Sequence, residues 1–172
     1  MEINICYATA DDAELIADIS RQTFVEAFAD QNTPENMQKF LNEQFTKEAI
    51  IEEVGTDGNT FLMAYAENEL VGYVRLRDNK PEELGDESAI EIARIYATAT
   101  AIGKGIGSEL MQACVDTARQ LRKDIVWLSV WEQNNKAIEF YKKWGFEKFG
   151  EQAFVLGDEV QTDWQMKRNV RM

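Results

Sequence analysis

Apolar and polar residues alternate at Ile3, Ile5 and Tyr7, which predicts a short opening strand. The period then lengthens. Thr9 followed by Asp12 has the form of a capping box with Asp in place of Glu, and Ala13, Ile16, Ala17, Phe24 and Phe28 follow at helical spacing. Pro34 stands in the first turn of a second predicted helix, through Met37, Phe40 and Leu41. Thr46 is placed to cap a third, with Ile50, Ile51 and Val54, stopped by Gly55. Residues 60–67 and 70–77 read as a hairpin turning at Asn68-Glu69, and residues 78–88 as an acidic loop. Residues 89–97 predict a further strand. Residues 107–123 predict a helix with Leu110, Met111, Cys114, Val115, Ala118 and Leu121 on one face. A largely apolar strand over 125–130, a short helix over 135–144 stopped by Gly145, and two strands over 146–155 and 160–167 joined at Gly157-Asp158 complete the chain.

Composition narrows what such elements can build. The chain has 172 residues, enough for one domain, or two small ones, with a sizeable core. An apolar fraction of 45% and an aromatic fraction of 10% exclude a disordered acidic tail. Lys and Arg number 18 against 31 Asp and Glu, a net charge of −13, which argues against a nucleic-acid binder and suits a cationic partner. There is no histidine, so Ser-His-Asp and Cys-His catalysis and imidazole-ligated zinc are excluded. Cys6 and Cys114 are the only cysteines, too few for a disulfide framework or an all-cysteine zinc site, and a reducing cytosol is the expected setting. The N-terminus has no charged, apolar leader, and no stretch of 18 apolar residues occurs, so neither secretion nor a membrane span is expected.

The candidate chemistry lies between residues 89 and 146. Ile102-Gly103-Lys104-Gly105-Ile106-Gly107-Ser108 joins a strand to an amphipathic helix. Glycines let backbone approach a ligand closely, and a helix N-terminus offers unpaired N–H groups, so the segment reads as a pyrophosphate site or as a flexible glycine turn. A dinucleotide fold is a rival, with Gly103, Gly105, Ser108 and then Glu132. Against it, five residues separate the strand from Gly103, Ser108 replaces the third glycine, and only 40 residues follow Glu132.

Four blocks in order carry a resemblance: Ile92-Ala93-Arg94-Ile95-Tyr96-Ala97, Gly103-Lys104-Gly105-Ile106-Gly107, Asn134-Asn135-Lys136-Ala137, and Phe140-Tyr141-Lys142-Lys143-Trp144-Gly145-Phe146. Together they resemble the GNAT-family N-acetyltransferases. The segments 127–132 and 154–163 make the chain most similar to the bacterial PaiA-type spermidine/spermine branch. Two departures stand out. Ile102 occupies a position where the family usually has Gln or Arg, and Gln152 stands where PaiA-like relatives have His.

The resemblance implies a single N-acetyltransferase domain over residues 1–172, of α/β (α+β) class. Its central sheet would be mixed and mostly antiparallel, of six to seven strands, flanked by four to five helices. It implies acetyl-CoA as cofactor, held by the backbone of Ile95, Tyr96 and Ala97 where that strand and residues 126–130 splay apart. The loop Gly103, Lys104, Gly105, Ile106, Gly107 and Ser108 would take the phosphates, with Lys136 and Lys143 near them and Ala137 among the cofactor contacts. Asn134 is either a cofactor contact or a helix N-cap. Tyr141 is either a satisfied core tyrosine or the general acid that protonates the leaving thiolate. Glu91 is either a solvated charge or the general base, acting directly or through water. Glu26 and Asp30, with Glu35 near them, are candidates to bind the distal ammonium groups of a polyamine. The expected activity is direct attack of a primary amine, favoured as spermidine or spermine, on the thioester. An amino acid, peptide N-terminus or aminoglycoside acceptor, and a non-catalytic acyl-CoA sensor, remain open. No metal, nucleic acid or membrane partner is implied. The expected state is a cytoplasmic monomer, or a homodimer paired through an exposed C-terminal strand.

Overall fold

The alternation at the start of the chain becomes β1 (Ile3–Tyr7), and the lengthened period becomes α1 (Ala13–Phe28), α2 (Pro34–Glu43) and α3 (Lys47–Val54). The computed structural model describes residues 2–171. Thr33 and Thr46 act as the N-caps of α2 and α3, their hydroxyls accepting from the N–H groups of Asn36 and Ala49 at 3.1 and 3.2 Å. Asp12 accepts from the Thr9 N–H at 2.8 Å and closes a short 3-10 turn before α1. Then follow β2 (Asn59–Ala66), β3 (Glu69–Arg77), β4 (Ala89–Ala97), α4 (Ile106–Gln120), β5 (Ile125–Trp131), α5 (Asn135–Lys143), β6 (Glu147–Leu156) and β7 (Glu159–Asn169).

All seven strands form one sheet in the order β1-β2-β3-β4-β5-β7-β6. Only β4 and β5 run parallel; every other pair is antiparallel. The mixed, mostly antiparallel α/β architecture is therefore as expected. Three local expectations are corrected. The β2–β3 turn is Glu67-Asn68, one residue earlier than the composition suggested, and both residues take positive φ (53° and 68°), as a two-residue hairpin turn of right-handed strands requires. Helix α4 ends at Gln120, which leaves Leu121 half exposed beyond it and off the buried face. The last strand, β7, is interior between β5 and β6, so the exposed edges are β1 and β6.

The sheet separates two apolar layers. On one face, α4 buries Ile106, Leu110, Met111 and Cys114 against Val74, Leu76, Ile90, Ile92 and Leu128. On the other, α1, α2 and α3 bury Ile16, Phe24, Phe40 and Ile50 against Phe61, Met63 and Tyr73. Gly72 in β3 has a packing reason. A Cβ there would lie 2.9 Å from Ile106 and 3.0 Å from the Tyr96 carbonyl, so its absence lets α4 settle on the strand.

One irregularity in β4 positions the site. Arg75 pairs with Arg94, yet Leu76 pairs with Ile92, so Ala93 is an extra residue in β4. Strict alternation would put Glu91 and Arg94 on opposite faces. The bulge brings Glu91 onto the face that carries Arg94 and Tyr96, opposite Arg75 and Arg77.

Candidate active site

Strands β4 and β5 are paired from Ala89–Ile125 to Ile92–Leu128 and no further. Beyond that point they separate, so the splay begins at Ser129, within the expected 126–130. Into the opening project α5, from one side, and the β6–β7 hairpin from the other. A cleft of about 440 Å³ runs through it, bounded by Ile95 and Tyr96 of β4, Ser129 and Val130 of β5, and Asn134, Ala137 and Tyr141 at α5. It continues over the sheet beneath α1–α3, where Phe24, Phe28, Phe40, Phe45 and Phe154 form an aromatic wall. Phe24 and Phe40 are stacked with ring centroids 4.6 Å apart.

Tyr141 is 9% exposed and packs edge-on against Phe140 and tilted on Phe146. No hydrogen bond joins its hydroxyl to the described residues and the side chain borders the cleft; the fully buried polar atoms without a partner are instead the Tyr73 hydroxyl and Arg94 Nε. Burial raises its phenol above the ordinary tyrosine value, with a smaller contribution from Cys114, so it stays protonated. Glu91 is buried in the cleft floor and is not a solvated surface charge. Its Oε1 takes Arg77 Nε at 2.8 Å, Arg77 Nη2 at 2.6 Å and Asn79 Nδ2 at 3.0 Å.

The glycine loop stands at the N-terminus of α4, where Gly103 and Gly105 both have φ of 87°, a conformation side chains resist. Among the described residues, the N–H groups of Gly103, Gly105, Ile106, Gly107 and Ser108 find no acceptor. Ile106 is buried, so only its backbone can serve a ligand, and Ile102 is exposed beside the loop. Asn134 caps α5, its Oδ1 accepting from the Ala137 N–H at 3.3 Å while the residue borders the cleft. Asn134→Ala is expected to cost about 1 kcal/mol and Asn134→Asp almost nothing, read from urea unfolding.

The remaining sequence-chosen residues lie elsewhere. Ala97, Lys104, Lys136 and Lys143 do not border the cleft, and both Lys136 and Lys143 are exposed on α5. Glu26 and Asp30 are also outside it. The Glu26 carboxylate accepts from the Ala99 N–H at 2.9 Å, which ties α1 to the turn ahead of the glycine loop, and Asp30 is exposed. Sequence reasoning missed a further acidic group that borders the cleft besides Glu91, Asp163 of β7. Gln161, Asp163 and Gln165 stand at every second position of that strand, a polar stripe in an otherwise covered sheet, and Gln161 and Asp163 border the cleft. Gln152 donates to Ser129 Oγ at 2.8 Å and accepts from Gln165 at 3.3 Å, so this side chain ties together β5, β6 and β7 on one side of the cleft. Also missed were Arg75 and Arg94, which share Glu53 of α3.

Asp163 has no hydrogen-bond or ion-pair partner among the described residues, and burial pushes its carboxyl up to about 6 from 3.8. The folded protein therefore holds this proton more tightly than the unfolded chain does. The stability contributed by the site falls as pH rises through that interval. Asp163→Asn is expected to raise Tm at pH 7 and leave it unchanged near pH 3.5, measured by thermal scans across pH.

Comparison with known proteins bears on the same segments. Residues 15–146 match the profile of the Acetyltransferase (GNAT) family. An uncharacterized N-acetyltransferase in the pepI 3' region of Lactobacillus delbrueckii subsp. lactis is 37% identical over 156 residues, 90% of each chain. A spermidine N(1)-acetyltransferase of Thermoplasma acidophilum is 25% identical over 156 residues, 86% of this chain and 89% of the other. The fold is shared with the PaiA N-acetyltransferase of Thermoplasma acidophilum solved with coenzyme A, at a TM-score of 0.77 and 21% identity over 98% and 99% of the two chains.

Proposed function

As the chain belongs to the GNAT acetyltransferase family, we propose that it works as one domain that transfers an acetyl group from acetyl-CoA to a primary amine by direct attack. The observation that carries this reading is Tyr141, whose side chain borders the cleft that opens where β4 and β5 part and whose hydroxyl makes no hydrogen bond to the described residues. The residues suit the cofactor. Five free amides at an exposed helix N-terminus form a ready anion site, and the unpaired edge of β4 offers backbone to an extended arm. Acetyl-CoA, when bound, supplies the thioester. A C–N bond forms, the C–S bond breaks, and Tyr141 gives its proton to the departing sulfur.

The proton leaving the amine goes to a carboxylate. Asp163 has both oxygens free, whereas Oε1 of Glu91 already accepts three hydrogen bonds, so Asp163 is the favoured acceptor and Glu91 the second. Neither cysteine serves as a nucleophile: Cys114 is fully buried in the α4 core, its thiol raised by that burial, and Cys6 is on edge strand β1. The kcat/KM profile is expected to show an acidic limb near pH 6 that Asp163→Asn removes; a limb that survives the substitution removes Asp163 from the step.

A polyamine acceptor draws support from the name of the Thermoplasma relative and from the net charge of −13. Against it, Glu26 and Asp30 do not reach the cleft, and Glu53 and Glu91 are taken by arginines. A panel of spermidine, spermine, amino acids and an aminoglycoside, followed by coenzyme A release and product mass, separates these acceptors. Turnover confined to acceptors other than polyamines removes the polyamine reading and keeps the enzyme.

A further inference from the structure

The floor of the cleft under the aromatic wall carries more positive than negative charge. Arg75 and Arg94 are cross-strand partners with side chains only 13% and 11% exposed. Like charges directly opposite repel, and the pair has one carboxylate between them, Glu53. Glu53 meets Arg75 Nη1 at 3.2 Å and also holds Arg94 Nη2. Arg75 Nε is satisfied by Asn59 at 2.7 Å, and the Arg94 guanidinium lies 4.9 Å from the centre of the Phe45 ring. Arg94 Nε is buried without a partner, and neither Arg94 Nη1 nor Arg75 Nη2 has an acceptor among the described residues. The other charges do not cancel the excess. Arg77 and Glu91 neutralise each other, and Asp163, on the β7 wall, owes its raised carboxyl to burial alone, with no guanidinium acting on it. Burial, and then the neighbouring Arg94 charge, pull Arg75 down to about 10, still a cation at neutral pH.

We infer that Arg75 and Arg94 form a subsite for a carboxylate on the acceptor, so that the enzyme's amine substrate also bears one negative charge. The inference rests on the acetyltransferase reading and deepens it. A carboxylate supplies the missing unit charge and accepts from the idle guanidinium N–H groups, which are suited to planar oxyanions. The same molecule presents its ammonium to Asp163 on the opposite wall, and its side chain to Phe24, Phe40 and Phe154. A compact aminocarboxylate with an apolar side chain meets all three surfaces, whereas a polyamine would set a cation against two guanidinium groups.

The test is calorimetric binding of N-acetylphenylalanine and of its amide, with saturating coenzyme A. The pair differs in the carboxylate and needs no turnover. The acid is expected to bind about tenfold or more tightly than the amide, and Arg94→Met to bring that ratio close to one. Equal binding of the two by the unaltered protein, or binding of neither, overturns the inference without depending on any variant's folding. Turnover of phenylalanine and of phenethylamine, run alongside, reads the parent proposal separately. Acetylation of phenethylamine with no acid-over-amide preference removes the subsite and keeps the transferase. An acid preference with no acetylation of either amine, or of any amine in the acceptor panel, keeps the subsite and removes the transferase.

Discussion

Tyr141→Phe is expected to lower kcat by about a hundredfold while the affinity for acetyl-CoA changes less than about twofold. The substitution deletes one oxygen from a side chain whose ring packing against Phe140 and Phe146 is retained. That oxygen borders the cleft and makes no hydrogen bond to the described residues, so its removal is not expected to cost stability, and Phe should leave Tm about unchanged. A tyrosine kept only for packing would give the reverse pattern, with activity intact. Steady-state kinetics and a thermal scan on the same preparation distinguish the two.

Ser108→Glu separates stability from function at the other end of the cofactor path. Ser108 is exposed in the first turn of α4, where a negative charge favours the helix by about 0.3–1 kcal/mol. The same carboxylate would sit among the amides of Gly105, Ile106 and Gly107 and repel an incoming pyrophosphate. The KM for acetyl-CoA is expected to rise about tenfold or more, with Tm unchanged or higher. A fall in Tm with unaltered KM would mean that the glycine loop is only a helix entry.

Much of this was readable from side-chain pattern. Among the described residues, strand and helix periods located seven strands and five helices, most clearly where an element buries apolar side chains, whereas β1 and β6 are largely exposed. The glycine loop stood out as one local segment, open to a phosphate site or a plain turn, whereas spacing alone favoured a core role for Tyr141 and only the family resemblance made it a candidate acid. The acceptor side was not legible. It depends on the extra residue at Ala93, which turns Glu91 toward Arg77, and nothing in Ile90-Glu91-Ile92-Ala93-Arg94 announces a bulge. Arg75 and Arg94 are 19 positions apart and meet only through strand pairing. Glu26 and Asp30 were chosen for lying near the first helices, but Glu26 is spent on the Ala99 N–H and Asp30 is exposed in the turn that follows α1. Asp163 stood in a polar stripe with Gln161 and Gln165 that alternation does expose, yet its burial depends on how the β6–β7 hairpin packs.

The central claim is that this cleft passes an acetyl group straight from acetyl-CoA to an amine. Its most direct test is the release of free coenzyme A from acetyl-CoA with and without a primary amine, with the protein's own mass recorded at each time point. The account predicts coenzyme A release only when an amine is present, in step with acetylated amine and with no acetyl group on the protein. Release without amine, or an acetyl group trapped on the protein before amine is added, would contradict it.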